Sequence, residues 1–233
     1  MNVLRTIPHM PPSWIYETRS DAGRELAKEL AAALAGERST VLAIPRGGVP
    51  VGAPIALALD APLDVTVPRK LPIPWEPEAG FGAVTPEGTV VLNEEMRPYL
   101  GLTDEDIRAI VREVQQETRR RLQVYRGDRP PPPIRDRTIV LTDDGLATGL
   151  TMIAAIRAVR SAQPRRVLVA VPVAPRSSLQ RVAAEADDVY CLIEQVAGPF
   201  AVASFYRYFL DLSDEEVIRE LEEAAASVAP QGK

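Results

Sequence analysis

At 233 residues the chain is long enough to bury one substantial core, and its 46% hydrophobic and 25% charged content exclude a disordered polymer. A formal net charge of −5 leaves no overall basic field to hold nucleic acid by counterion release, so no nucleic-acid partner is expected. One cysteine (Cys191, in an apolar run) and one histidine (His9, in a Pro-rich stretch) exclude an internal disulfide and do not make a zinc site, and the setting of His9 disfavours a Ser-His-Asp triad.

Taken in chain order, Asp21–Ala35 carries apolar residues at helical spacing, with Gly36 as its stop. Thr40–Ile44 is a short apolar strand that runs into Pro45-Arg46-Gly47-Gly48, and Val49–Leu59 is a small-residue helix. Leu63–Pro68 is a second strand closed by Arg69-Lys70. The Pro/Gly-rich stretch that follows, to Gly88, predicts a mobile loop leading into a hairpin that ends at Val90–Leu92. Thr103–Tyr125 is a long charged helix, with acids in its first turn and Arg119–Arg121 towards its end, as the helix dipole favours. Pro130–Pro133 is a connector. Thr138–Thr142, Arg166–Pro172 and Val189–Ile193 are further apolar strands, separated by helices at Thr148–Ser161 and Pro175–Ala186. An aromatic-rich tail from Glu194 ends in a helix over Ser213–Ala226. Apolar strands alternating with helices predict an α/β fold, a mostly parallel sheet covered on both faces. With no repeat, no dividing linker, no apolar h-region and no bilayer-spanning run, the reading is one cytoplasmic domain without a membrane partner.

The chemistry concentrates in Thr138–Thr151, where an apolar strand runs into Asp143-Asp144, then Gly145-Leu146-Ala147, then Thr148-Gly149-Leu150-Thr151. In open α/β sheets ligands sit beyond the carboxyl ends of strands, and a helix N-terminus offers unpaired N–H groups to an anion. Gly149 lets the backbone approach a phosphate, Thr148 and Thr151 donate to it, and the two carboxylates accept from neighbouring sugar hydroxyls. Alone, Asp-Asp-Gly reads as a polar turn with Thr148 as an N-cap. Two adjacent acids after a buried strand need partners or solvent, which weakens that reading here.

At these residues the sequence resembles the type I phosphoribosyltransferases. Their motif for phosphoribosyl pyrophosphate (PRPP) is an apolar strand, two acids, a short turn and Thr-Gly-x-Thr. The resemblance implies the type I fold for residues 1–233, with a core over about 38–193. It also implies a hood from about 194–212 with the N-terminal segment, and an inserted helical region at about 103–133. It implies that Asp143 and Asp144 hold the ribose 2′- and 3′-hydroxyls and that Ala147, Thr148, Gly149, Leu150 and Thr151 hold the 5′-phosphate. Arg46, Gly47 and Gly48 would form the pyrophosphate loop, with a cis peptide at Pro45–Arg46, and Arg69 and Lys70 would supply further cations. Leu71–Val84 would be the loop that closes over PRPP, with Glu78 as a solvated acid or a catalytic participant. Phe200 and Val202 would belong to the acceptor hood, beside Phe205–Phe209. Mg²⁺ would be held mainly by PRPP, with Asp143 and Asp144 acting through water. The implied reaction transfers phosphoribose to a nitrogen nucleophile, a nucleobase, in a protein compatible with a homodimer. Ala147 stands where hypoxanthine-guanine enzymes carry an acid, which disfavours a 6-oxopurine acceptor. The alternative is a regulatory module that keeps the pocket without catalysis. Nucleotide hydrolysis lacks a P-loop, and Gly47–Gly52 fails the dinucleotide fingerprint by spacing.

Overall fold

A computed structural model describes residues 1–11 and 13–227. In chain order its regular elements are β1 (Asn2–Ile7), α1 (Arg19–Ala33), β2 (Ser39–Ala43), α2 (Gly48–Ala58), β3 (Leu63–Val65), β4 (Arg69–Ile73), β5 (Glu76–Val84) and β6 (Val90–Leu92). There follow α3 (Asp104–Arg126), β7 (Thr138–Thr142), α4 (Leu150–Arg160), β8 (Arg166–Pro175), α5 (Arg176–Ala183), β9 (Asp188–Gln195) and α6 (Asp214–Ser227). Six strands form a parallel sheet in the order β1-β9-β8-β7-β2-β3, and β4-β5-β6 form a separate antiparallel sheet. The α/β class with a mostly parallel sheet is therefore as expected.

The central strands read as unbroken apolar runs because helices cover both faces. Val41, Ala43, Val140, Leu168 and Ala170 turn to the layer of α1, α2 and α6. Their neighbours Leu42, Ile139, Leu141, Val167, Val169 and Val171 turn to α4 and α5. With a side-chain period of two, a strand buried on both faces has no place for a polar alternate. Helices α1 and α3 start where a capping box satisfies the first N–H groups, Thr18 with Asp21 and Thr103 with Asp106.

The order places β3 beside β2 and β8 beside β7, on opposite sides. The two connections diverge, and a crevice opens above the carboxyl ends of β2 and β7. The Pro45–Arg46 and Asp143–Asp144 segments both emerge there.

Three expectations are corrected. The second strand ends at Val65, and Arg69-Lys70 opens β4 instead of closing β3. Leu71–Val84 is a hairpin instead of a mobile loop, because Leu71, Ile73, Phe81 and Val84 bury a small core with Leu100 and Ile107, against α3. The N-terminal segment divides, with Asn2–Ile7 extending the central sheet beside β9, while Pro8 and residues 14–17, Ile15 and Tyr16 among them, meet residues 197–208. The N–H groups of Ile15 and Tyr16 both donate to the Phe205 carbonyl at 2.9 Å. No helix among the described residues is long and apolar enough to cross a membrane.

Candidate functional site

Two loops meet at the crevice, and their glycines let them touch. The Ile44 N–H donates to the Thr142 carbonyl at 2.9 Å, carrying the β2–β7 pairing one residue past the end of β2. A Cβ on Gly47 would lie 1.9 Å from Asp144 Oδ2, and one on Gly48 would lie 2.8 Å from the Thr142 carbonyl oxygen. The peptide Pro45–Arg46 is cis, at the position the resemblance implied.

The two aspartates face different partners. Asp143 lines a cleft of about 490 Å³, while its Oδ1 accepts from the Asp144 N–H at 2.8 Å. Asp144 turns to Arg19, the first residue of α1, whose Nε donates to Asp144 Oδ2 at 2.8 Å. Arg19 is itself fixed. Its Nη1 donates to the Leu210 carbonyl at 2.9 Å, and its guanidinium lies 3.7 Å from the centre of the Phe209 ring. The Tyr206 hydroxyl donates to the Asp144 carbonyl at 2.6 Å. Burial raises both carboxyls above the ordinary range, and for Asp143 the charge of Asp144 adds to it. Arg19 opposes that rise at Asp144, which leaves Asp143 the more strongly raised of the pair.

The rest of the cleft is lined by Gly145, Leu146 and all of Ala147–Thr151, by Lys70, Ala79, Gly80 and Gly82 of the hairpin, and by Met96 and Val202. Helix α4 begins later than expected, at Leu150. Its N-cap is Gly149, in the left-handed region at φ 79°, and Thr148 Oγ1 lies 3.5 Å from Leu150 N, at the limit of a hydrogen bond. The first N–H groups of an eleven-residue helix are thus presented at the cleft, an arrangement that seats an anion. Val202 presses on the turn, since a Cβ on Gly145 would lie 2.8 Å from both its methyls.

Other expected positions lie at the rim or behind it. Arg46 Nη1 is 3.9 Å from Asp214 Oδ1, and Arg69 Nη1 is 3.4 Å from Glu117 Oε1, so both turn towards α3 and α6. Phe200 packs on Phe205 at 5.5 Å between ring centres and is not among the residues lining the cleft. The side chain of Glu78 lies outside the described residues. Sequence reasoning missed Arg19 altogether, left Met96 and Glu117 without roles, and placed Tyr206 in the hood instead of against Asp144. The capping box around Thr18 places Arg19 at a helix start, but no local pattern joins it to a residue 125 positions away.

A doubly wound sheet with an aspartate and a helix start lining one cleft at its switch point defines the open α/β class, whose ligands sit beyond the carboxyl ends of the strands. The sequence profile of the phosphoribosyl transferase domain matches residues 86–204, half of the chain, and the chain belongs to that family. The match includes the Thr138–Thr151 motif. In Mycobacterium tuberculosis, strains H37Rv and CDC 1551, proteins bearing the names "Putative phosphoribosyl transferase Rv0571c" and "Putative phosphoribosyl transferase MT0597" are each 40% identical over 218 residues, 94% of this chain. The chain spans about half (49%) of the length of these curated relatives. The crystal structure of TT1426 from Thermus thermophilus matches with a TM-score of 0.74 at 36% identity, covering 90% of this chain and 98% of that one.

Proposed function

We propose that this chain binds PRPP in the 490 Å³ cleft and transfers its phosphoribosyl group to a nitrogen nucleophile, a nucleobase, releasing pyrophosphate. The observation that carries the reading is that Asp143 and the whole Ala147–Thr151 loop line one cavity. The first-turn N–H groups of α4 and the hydroxyls of Thr148 and Thr151 hold the 5′-phosphate. Asp143 in its ionised form accepts from the ribose hydroxyls, and Asp144, braced by Arg19, stands behind it. The nitrogen forms its bond to C1′ as the bond from C1′ to the pyrophosphate oxygen breaks. Positive charge develops on the ring, where two carboxylates stabilise it in place before the reaction. Lys70 at the cleft faces the departing phosphates, and Arg46 reaches them by leaving Asp214.

Mg²⁺ fits this site only as a substrate-borne ion. Among the described residues no group of three or more Asp, Glu, His or Cys could hold a metal by itself. Asp143 and Asp144 would hold it through water while PRPP supplies the remaining oxygens, and the ion would neutralise pyrophosphate charge.

The test is pyrophosphate release from PRPP with a panel of nucleobases, beside PRPP binding to Asp143→Asn. Turnover with at least one base, and binding weakened tenfold or more in a variant of unchanged fold, are expected. Undiminished PRPP affinity in that variant would refute the site. Tight PRPP binding without turnover on any base would make the chain a binding module.

A further inference from the structure

Helix α3 gathers more positive charge around Glu117 than its own stability requires. Glu117, Arg121 and Tyr125 lie four residues apart on one stripe of the helix, with Arg120 beside them. Arg120 donates to Glu117 through Nε at 2.8 Å and Nη2 at 2.9 Å, and Arg121 Nε donates to Glu117 Oε1 at 3.1 Å. Arg69 arrives from β4 at 3.4 Å from the same Oε1. At the other end of the stripe the Tyr125 hydroxyl donates to Asp214 Oδ1 at 2.7 Å, and Arg46 Nη1 stands 3.9 Å from that same oxygen. Four guanidiniums from three separate segments thus surround two carboxylates, in a chain whose overall charge is −5. Crowding registers at Arg69, whose guanidinium is held below its usual range by burial first and then by the charge of Arg121. Glu117 is pulled down to about 2, chiefly by its hydrogen bond to Arg120.

Helix stability alone explains one arginine for this glutamate, not three. Arg119, the third member of the arginine run, is occupied elsewhere, donating to the Pro86 carbonyl at 2.8 Å. All four converging arginines stay accessible, their side chains 28–61% exposed. Ion pairs at such exposure contribute little to stability, so a stronger anion displaces the carboxylate cheaply. Guanidinium forks match phosphate oxygens two at a time. The chain joins the cluster to the cleft at two points, because Arg46 adjoins Gly47, which packs on Asp144, and Arg69 precedes Lys70, which lines the cavity from the opposite face of β4.

We infer that Arg120 and Arg121 of α3 complete, with Arg46 and Arg69, a site for the pyrophosphate group, and that Glu117 occupies this site until the ligand displaces it. The inference rests on the proposed PRPP reading and assigns the inserted helix to its pyrophosphate end. Titration calorimetry with two probes, inorganic pyrophosphate and ribose 5-phosphate, tests it on the whole chain. In the double variant Arg120→Gln/Arg121→Gln, pyrophosphate affinity should fall tenfold or more while ribose 5-phosphate binds as in the wild type. Glu117→Gln should bind pyrophosphate several-fold more tightly. Pyrophosphate affinity within twofold of wild type in the double variant overturns the inference and leaves the PRPP site standing. Loss of both ligands in the double variant also overturns it, since the arginines would then be supporting the fold. If Glu117→Gln weakens pyrophosphate binding, Glu117 is a brace for the arginines and the displacement step falls. A wild-type chain that binds neither probe sinks the PRPP reading itself, along with this one.

Discussion

Arg19 and Asp144 are both largely buried, and a buried ion pair with one partner removed leaves a charge without compensation. Arg19→Ala is expected to cost about 3 kcal/mol of stability at neutral pH. The sign of its pH dependence follows from the orphaned carboxyl. Without Arg19 the pKa of Asp144 in the folded chain rises further above its unfolded value, and such a group favours the fold at low pH and loses that contribution as pH rises. The deficit against wild type should therefore be largest near pH 7.5 and shrink towards pH 5 in urea denaturation. Equal deficits at both would mean that the guanidinium acts by packing on Phe209 alone. Asp143 gives a second pH signature, in binding instead of stability. A ribose diol needs an ionised carboxylate as acceptor, and the Asp143 carboxyl is raised well above the ordinary range by burial and by its neighbour. PRPP should bind about tenfold more weakly for each pH unit below that raised pKa, a dependence that Asp143→Asn removes. A wild-type profile parallel to that of Asp143→Asn over pH 5–8 would place the titrating group elsewhere.

At the scale of elements, the site is a contact between two loops, and its glycines are of two kinds. A methyl on Gly48 meets the Thr142 main-chain oxygen at 2.8 Å, where nothing flexible can yield, so Gly48→Ala should lose about 1–3 kcal/mol in thermal or urea unfolding. A methyl on Gly47 meets the Asp144 carboxylate, which Arg19 holds in place. Gly47→Ala should therefore disturb the aspartate pair and weaken PRPP binding more than it weakens the fold. If Gly47→Ala binds PRPP as wild type does, Asp144 moves freely and is not braced. Much of this site was legible in the sequence. Apolar runs ending in Arg46-Gly47-Gly48 and Asp143-Asp144 locate two strand ends, because a strand buried on both faces is visible as hydrophobicity without alternation. What brings them together was not legible, since the adjacency of β2 and β7 is set by pairing between strands far apart in the chain. The hairpin β4–β5 was hidden for a related reason. Its Pro and Gly content reads as loop, and the residues that order it come from Leu100 and Ile107, beyond the local window. Strand β1 was missed because its exposed positions give no apolar run, its order coming from β9 alone.

Over the whole molecule there are three cores among the described residues, two on the faces of the central sheet and a third between the small sheet and α3. The third meets the rest through Ala83 of β5 and Val91 of β6, which pack in the core under α4, through the buried Tyr125 of α3, and through polar ties from Arg126 to Asp64 at 2.8 Å and from Tyr125 to Asp214 at 2.7 Å. This unit supplies Lys70, Ala79, Gly80 and Gly82 to the cleft, so, beside the core that Ala83 and Val91 share with the other wall, one wall of the site depends in part on a core of its own. Phe81 is buried at the centre of that core, and Phe81→Ala should cost about 3–5 kcal/mol there. A small unit held by its own core opens locally before the chain unfolds as a whole. Amide exchange should consequently accelerate across β4, β5 and β6 in this variant while β7 and β8 keep their protection. PRPP affinity should fall although the Asp143 and Thr148–Thr151 side of the cleft is intact. Exchange accelerating equally in both sheets would show that the cores melt together, and the cleft would then have to be treated as one rigid cavity. Selective opening, in contrast, would mean that the small sheet can move against a fixed phosphate seat, which is the freedom a site needs if it is to admit PRPP and then exclude water from the bond being broken.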